Sequence, residues 1–292
     1  MKQSIGVFLL LATIATFTVP VTAQLLWRNA KTAEKGSFII MGQWYFSSYS
    51  KSYDWSAAEW KNLPNSQKMA DWGVETMFGY AITDRWEAMI HLPLLFLSSE
   101  MPDVISGTTI KKSASGKGDL YLKTRYALLP WSNKKHGLVL ICAFRFPTGD
   151  ESADIPLGDG GSDLGLGAIF TTKWFNDLHR GHLKLSYWIN GENGEEVKIG
   201  NQFKLIAKYD YNLSPSFMPV ISYIFFTQAE TQSNGIKLDR TRKIRHTLTP
   251  GVTWKPKSGL FVRPKVTLFL AGEGGNRYSF KPMVDVWYVF KI

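Results

Sequence analysis

Residues able to do chemistry are dispersed along this chain. His182 and Ser186 share one face of a strand-like segment, as a base and nucleophile would. A hydrolase needs that base within hydrogen-bond reach of the nucleophile. Four residues along a strand, at about 3.3 Å each, set the two about 13 Å apart. Asp177 and His179 have carboxylate–imidazole spacing but fall in a stretch that reads as a turn. The histidines, at 91, 136, 179, 182 and 246, form no metal-binding pattern, so no metal and no cofactor is expected. Asp150, Glu151, Asp154, Asp159 and Asp163 crowd one segment, which reads as a solvated external loop or, alternatively, a divalent-cation site. Gly158 to Gly161 precedes a strand pattern, so a phosphate cradle at a helix N-terminus does not apply.

The remaining signal is charge at alternate positions. Trp72, Val74, Thr76, Phe78 and Tyr80 alternate with Asp71, Gly73, Glu75, Met77 and Gly79. Leu122, Thr124 and Tyr126 alternate with Lys123 and Arg125, and Val284, Val286 and Tyr288 with Asp285 and Trp287. Tyr278, Phe280 and Pro282 continue the apolar face of that last segment. Successive strand side chains point to opposite faces, so each such segment has one apolar and one mixed face. An Arg or Lys facing lipid at mid-membrane would cost about 2–4 kcal/mol, which puts the charged face inside a closed sheet. The candidate pore-lining residues are therefore Glu75, Arg85, Glu87, His91, Asp119, Lys123, Arg125, Arg145, Asp163, Lys173, Arg263, Lys265, Lys281 and Asp285, with Asp71, Lys184 and Arg245 on the same side. Glu75 and Glu87 have Arg85, Arg125 and Arg145 as prospective partners. Basic groups outnumber acidic ones, which predicts a mild anion preference.

Twelve alternating segments can be placed, near 37–48, 69–82, 85–97, 118–128, 137–147, 163–174, 182–190, 197–210, 217–227, 243–254, 260–270 and 277–292. A tilted membrane strand needs about 9–11 residues, and bacterial single-chain barrels have an even strand count. The connections alternate between long, such as 49–68, 98–117 and 148–162, and short, such as Thr83-Asp84. This is the expected difference between external loops and periplasmic turns. It weakens at Gly191 to Glu196 and at Gly272 to Gly275. Pro147-Thr148-Gly149-Asp150 reads as a β-turn closing a strand. Gly165 and Gly167 face inward, leaving lumen space or relieving crowding where the sheet curves.

Lys2, the apolar run Ile5 to Phe17 and Val21-Thr22-Ala23 form the three parts of a cleavable secretory signal, residues 1–23. An uncleaved membrane anchor is the alternative. No cysteine flanks the cut, which excludes a lipoprotein, and Cys142, the single cysteine, excludes an intrachain disulfide. Residues 24–36 form an N-terminal periplasmic segment, a mobile tail or a plug, and 37–292 the barrel. The net charge of +10 is scattered among carboxylates, which argues against nucleic acid. The expected partners are outer-membrane lipids, a small-molecule solute, and the barrel-assembly machinery, reading the C-terminal Tyr288, Phe290 and Ile292.

Several motifs, in order, resemble the family of outer-membrane proteins named for the meta-pathway of phenol degradation. They are Tyr80 to Trp86 with Thr83-Asp84-Arg85, then Pro93, Gly116-Lys117-Gly118-Asp119, Phe144-Arg145-Phe146-Pro147-Thr148-Gly149-Asp150, and Gly158-Asp159-Gly160-Gly161-Ser162-Asp163-Leu164-Gly165-Leu166-Gly167. The resemblance implies an outer-membrane barrel, with passage of small apolar or aromatic molecules suggested by the family's namesake. The expectation is an all-β chain, a single antiparallel transmembrane barrel of about 12 strands in the bacterial outer membrane, acting as a passive channel and not as an enzyme. A barrel-fold hydrolase and a closed structural barrel without a pore are the alternatives.

Overall fold

The computed structural model describes residues 29–64, 67–102, 109–131, 135–175, 177–278 and 280–291. The expected signal peptide, 1–23, lies outside the described residues, as do 24–28 and the terminal Ile292.

The alternating segments pair into twelve long antiparallel strands. These are β1 (Ser37–Asp54), β2 (Lys68–Thr83), β3 (Trp86–Pro102), β4 (Leu120–Leu129), β5 (His136–Phe146), β6 (Asp163–Trp174), β7 (His179–Ile189), β8 (Gln202–Tyr211), β9 (Phe217–Gln228), β10 (Lys243–Lys257), β11 (Leu260–Glu273) and β12 (Phe280–Lys291). Each pairs with its sequence neighbours. β1 is paired on both edges, with β2 from Phe38↔Tyr80 to Tyr49↔Met69 and with β12 from Ser37↔Lys291 to Tyr45↔Met283. The sheet is therefore a closed barrel. Closure gives every strand two hydrogen-bonding neighbours, which hydrocarbon demands because it offers backbone groups no other partner.

Exposure fixes which face is which. Phe78 and Leu122 are 57% and 49% exposed, whereas Glu75 and Lys123 on the same strands are 4% and 3% exposed. A water-soluble sandwich has the opposite arrangement. The outer wall is an almost continuous band of large apolar side chains, including Phe38, Trp44, Trp72, Ile90, Phe144, Phe170, Tyr187, Ile221 and Trp254. Exposed apolar surface on this scale marks a face meant for another apolar phase.

The two rims differ. One carries the short connections 84–85, 130–135, 175–178, 212–216 and 258–259; the other carries 55–67, 103–119, 147–162, 190–201, 229–242 and 274–279. The weak seventh beat disappears because β8 starts at Gln202, not at 197. Val197–Lys198 belongs to the loop, where it pairs with Gln232–Ser233 of the next long connection. Further short strands extend the long-loop rim: Thr109–Lys117 pairs with Leu94–Pro102 of β3, and Glu59–Asn62 with the end of β1.

Three local expectations change. Tyr278 is buried on the inner side, where Asn276–Tyr278 pairs with Tyr49–Ser52 as a piece separate from β12. Pro147-Thr148-Gly149-Asp150 makes no i to i+3 hydrogen bond. Instead Thr148 N–H donates to the Phe146 carbonyl at 2.9 Å, a three-residue turn around Pro147. Gly165 opens no lumen space: a Cβ there would lie 2.9 Å from the Trp188 ring, which occupies that position.

The outward placement of Leu122 generates a test. Leu122→Lys should destabilise the barrel in lipid bilayers by about 2–4 kcal/mol in denaturant titration. Leu122→Phe should change stability little, and equal costs for the two would contradict the lipid-facing assignment.

Candidate functional site

The interior of the barrel collects the ionisable groups, and it is divided into two unlike halves. Behind β2 to β6 the lumen is packed. Ala30, Tyr121, Val139, Ile141, Ala143, Ile169 and Trp188 form one buried cluster, and Ile39, Met41, Met77, Ala81 and Met89 lie in another. The ionisable residues on this side face one another. Arg125 Nη1 donates to Glu87 Oε2 at 2.7 Å, both groups being almost fully buried. His91 Nε2 lies 3.9 Å from Glu75 Oε2, and His91 Nδ1 lies 3.5 Å from Lys123 Nζ.

Arg145 organises the long-loop rim. Its guanidinium contacts the carboxylates of Asp159 and Asp163 directly, and its Nη1 lies 3.8 Å from Asp119. Asp119 and Asp163 in turn accept the backbone N–H groups of Gly149 (3.0 Å) and Gly191 (2.9 Å). Thr148 Oγ1 accepts the Leu120 N–H at 2.9 Å. A Cβ on Gly158 would collide with the Asp119 carboxylate. The segments Gly116–Asp119, Phe144–Asp150 and Gly158–Asp163, well separated in sequence, thus form one network. It folds the 147–162 connection inward, where Ile155 and Leu157 are buried against Met69, Leu95 and Leu97. The acidic segment is therefore split: Asp159 and Asp163 serve Arg145, whereas Asp150 accepts from Ser152 at 2.7 Å. Among the described residues no acidic or histidine group is arranged to hold a metal ion.

The short-turn rim is occupied by the segment before β1. Ala33 N–H donates to Glu87 Oε1 at 2.5 Å, Ala30 N–H to Thr171 Oγ1 at 3.0 Å, and Arg125 Nη2 to the Asn29 carbonyl at 2.6 Å. Asp84 in the first short turn accepts from Thr32 Oγ1 (2.6 Å) and from Lys35 N–H (2.7 Å). Residues 29–36 are thereby tied across that end of the lumen. Thr171 Oγ1 is 2.9 Å from His182 Nδ1, and His182 Nε2 is 2.9 Å from Asp210 Oδ2. This is the order of a nucleophile, base and carboxylate, a relay that spacing within one strand could not show. Thr171 is fully buried, however, and its hydroxyl is engaged by Ala30, so the relay acts here as an anchor for the N-terminal segment.

The other half of the lumen, from β7 to β12 and back to β1, encloses a cavity of about 150 Å³. Lys184, Lys204, Lys208, Arg245, Arg263, Lys265 and Lys281 line it, with Asp285 as the one lining carboxylate. Lys265 Nζ donates to Asp285 at 2.7 Å, and Arg263 Nη1 stands 3.9 Å away. Seven Lys and Arg side chains around one lining carboxylate, with Asp210 beside Lys208, bias the potential of this space towards positive.

Of the fourteen expected pore residues, Arg263, Lys265, Lys281 and Asp285 line this cavity. Glu75, Glu87, His91, Asp119, Lys123, Arg125, Arg145 and Asp163 are interior but committed to the packed half or the Arg145 network. Lys173 stands half-buried at the short-turn rim, and its N–H donates to the Lys135 carbonyl. Arg85 is a correction: it sits exposed in the turn between β2 and β3, where its N–H donates to Thr83 Oγ1. Lys204 and Lys208 were missed. The alternation Gln202, Lys204, Ile206, Lys208, Asp210 carried the signal, but a strand begun at 197 obscured it. Asp177 pairs with Arg180 at 2.7 Å instead of with His179, which bonds the Tyr209 hydroxyl.

The Glu87–Arg125 pair should hold the N-terminal segment. Breaking a buried pair by removing one charge costs about 3–5 kcal/mol. In Glu87→Gln, amide exchange at Ala30 and Ala33 should therefore accelerate in mass-spectrometric measurements, and unchanged protection would contradict the tether.

The barrel has known counterparts. It superposes on an outer membrane channel from Pseudomonas putida F1 with a TM-score of 0.75 and 17% identity, over 89% of this chain and 98% of that one. The transport unit of the autotransporter AIDA-I from Escherichia coli gives 0.54 at 10% identity, over 98% of each chain. The NanC porin gives 0.50 at 7%, over 86% of this chain and 100% of that one. At such identities the likeness is one of fold, that of outer-membrane barrels. No curated protein sequence matches the chain. The family model described as MetA-pathway of phenol degradation matches residues 70–281, which contain the Asp84 turn, the Arg145 network and most of the cationic wall. The chain belongs to that family, with the fold of an outer-membrane β-barrel.

Proposed function

We propose that this protein is a passive channel of the bacterial outer membrane, exported through a cleaved signal peptide, that admits small solutes along its cationic half-lumen. One observation supports this most: a charged cavity enclosed by a wall whose outer surface is apolar. A barrel built only as a scaffold has no use for seven Lys and Arg side chains around unfilled space, since each carries a desolvation cost. The family's name favours small apolar or aromatic solutes. On this reading the N-terminal segment 29–36 and the inward 147–162 connection narrow the two mouths, the first as a plug. Tyr288 and Phe290 in β12 offer the assembly machinery its recognition strand, and the apolar band meets the lipids.

The closed-barrel reading draws support from the packing behind β2 to β6, and the hydrolase reading from the Thr171–His182–Asp210 relay. Planar-bilayer recording separates them. The expected result is discrete conductance, a reversal potential in a KCl gradient displaced toward the chloride equilibrium value, and larger conductance on deleting 29–36. Cation selectivity would overturn the role given to the cationic wall, and a stably inserted protein that never conducts would favour the closed barrel. Ester cleavage lost in Thr171→Val would favour the hydrolase.

A further inference from the structure

Strand register places an apolar strip between cations inside the cavity. On the inner faces of β8, β9 and β10, Lys204 stands opposite Phe226, and Phe226 opposite Arg245. One inward position further along, Ile206, Ile224 and Thr247 form the next row. Directly opposed residues have Cβ atoms about 4.5–5.5 Å apart. Successive inward residues on one strand are about 7 Å apart. Val220, Ile224 and Phe226, with Ser222 among them, are the inward residues of β9 that line the cavity. Lys281 reaches the same space from β12, its Nζ 3.9 Å from the centre of the Tyr45 ring.

The carboxylates near this wall are already engaged. Asp285 is held by Lys265 and Gln43, and Asp210 by Lys208 and His182. Arg245 gives one N–H to the Asn276 carbonyl at 3.2 Å, while its buried Nε has no hydrogen-bond partner among the described residues. An inorganic anion would answer the charge but make no use of the apolar lining from β9. A neutral apolar solute would cover the strip but leave the cations uncompensated. A solute carrying both an anionic head and a compact apolar body answers both demands at once.

We propose that the β8–β10 wall is a binding site for small organic anions of the aromatic carboxylate class, with the carboxylate held by Lys204 and Arg245 and the ring seated on Phe226 and Ile224. The proposal rests on the channel reading and narrows it to a solute class. Its test uses the full-length protein in detergent, with benzoate as probe and acetate and phenol as controls, read by isothermal titration calorimetry. Benzoate is expected to bind at least tenfold more tightly than either control. Lys204→Gln with Arg245→Gln should weaken benzoate at least tenfold, and Lys204→Arg should retain it. Ile224→Ser should bring benzoate down towards acetate. Heat-modifiable gel migration verifies that each variant is folded.

Equal affinities for benzoate and acetate would overturn the apolar half of the site, and equal affinities for benzoate and phenol the charged half. Absence of benzoate binding to folded protein would overturn the site altogether. Bilayer recording distinguishes that failure from failure of the channel reading. Conductance without benzoate block leaves a channel without this site, whereas calorimetric binding without conductance leaves the site in a barrel that is not a channel.

Discussion

The pairing of β1 with both β2 and β12 is the constraint from which the rest follows. An open sheet in hydrocarbon would leave two rows of backbone N–H and C=O groups without partners, at several kcal/mol per group. Once the ring is closed, every side chain must go in or out, and the two environments have opposite demands. The alternation of Glu75 with Val74 and Thr76, or of Lys123 with Leu122 and Thr124, is the sequence's answer to that geometry.

Inside, two solutions to the burial of charge stand side by side. Around β2 to β6 the guanidinium groups are matched: Arg125 by Glu87, and Arg145 by three aspartates. These pairs hold rigid elements together, and the apolar clusters among them leave the space filled. Around β7 to β12 the balance is broken in favour of cations, and there the interior stays open. An excess of one sign of charge around this space favours hydration or an anionic guest over further apolar packing.

The residues carrying the family likeness acquire physical reasons from this arrangement. Asp84 is not merely a turn former, because it also accepts Thr32 and Lys35 from the N-terminal segment. Asp119, Thr148, Asp159 and Asp163 are not independent loop residues. Each satisfies Arg145 or a backbone group of another motif, so that one guanidinium fastens a connection across the mouth. Gly158 leaves the room that the Asp119 carboxylate needs.

The sequence by itself pointed to the closed antiparallel sheet, to about twelve strands and to the sidedness of nearly every strand, because period-two alternation and connection length are local quantities. Its errors were also local. Arg85 has the inward parity of Glu87 but lies in the turn, and Tyr278 shares the sequence parity of Phe280 but pairs with Tyr49 in a separate piece of strand. Only the tertiary structure decided which inward charges neutralise one another and which remain facing a cavity. That outcome depends on which side chains meet across the lumen and across strand pairs, as with Thr171, His182 and Asp210 from β6, β7 and β8, or Lys204, Phe226 and Arg245 from β8, β9 and β10. Alternation gives the face on which a residue stands. Register and closure give its neighbours, and the neighbours set whether a buried charge braces the wall or serves the passage.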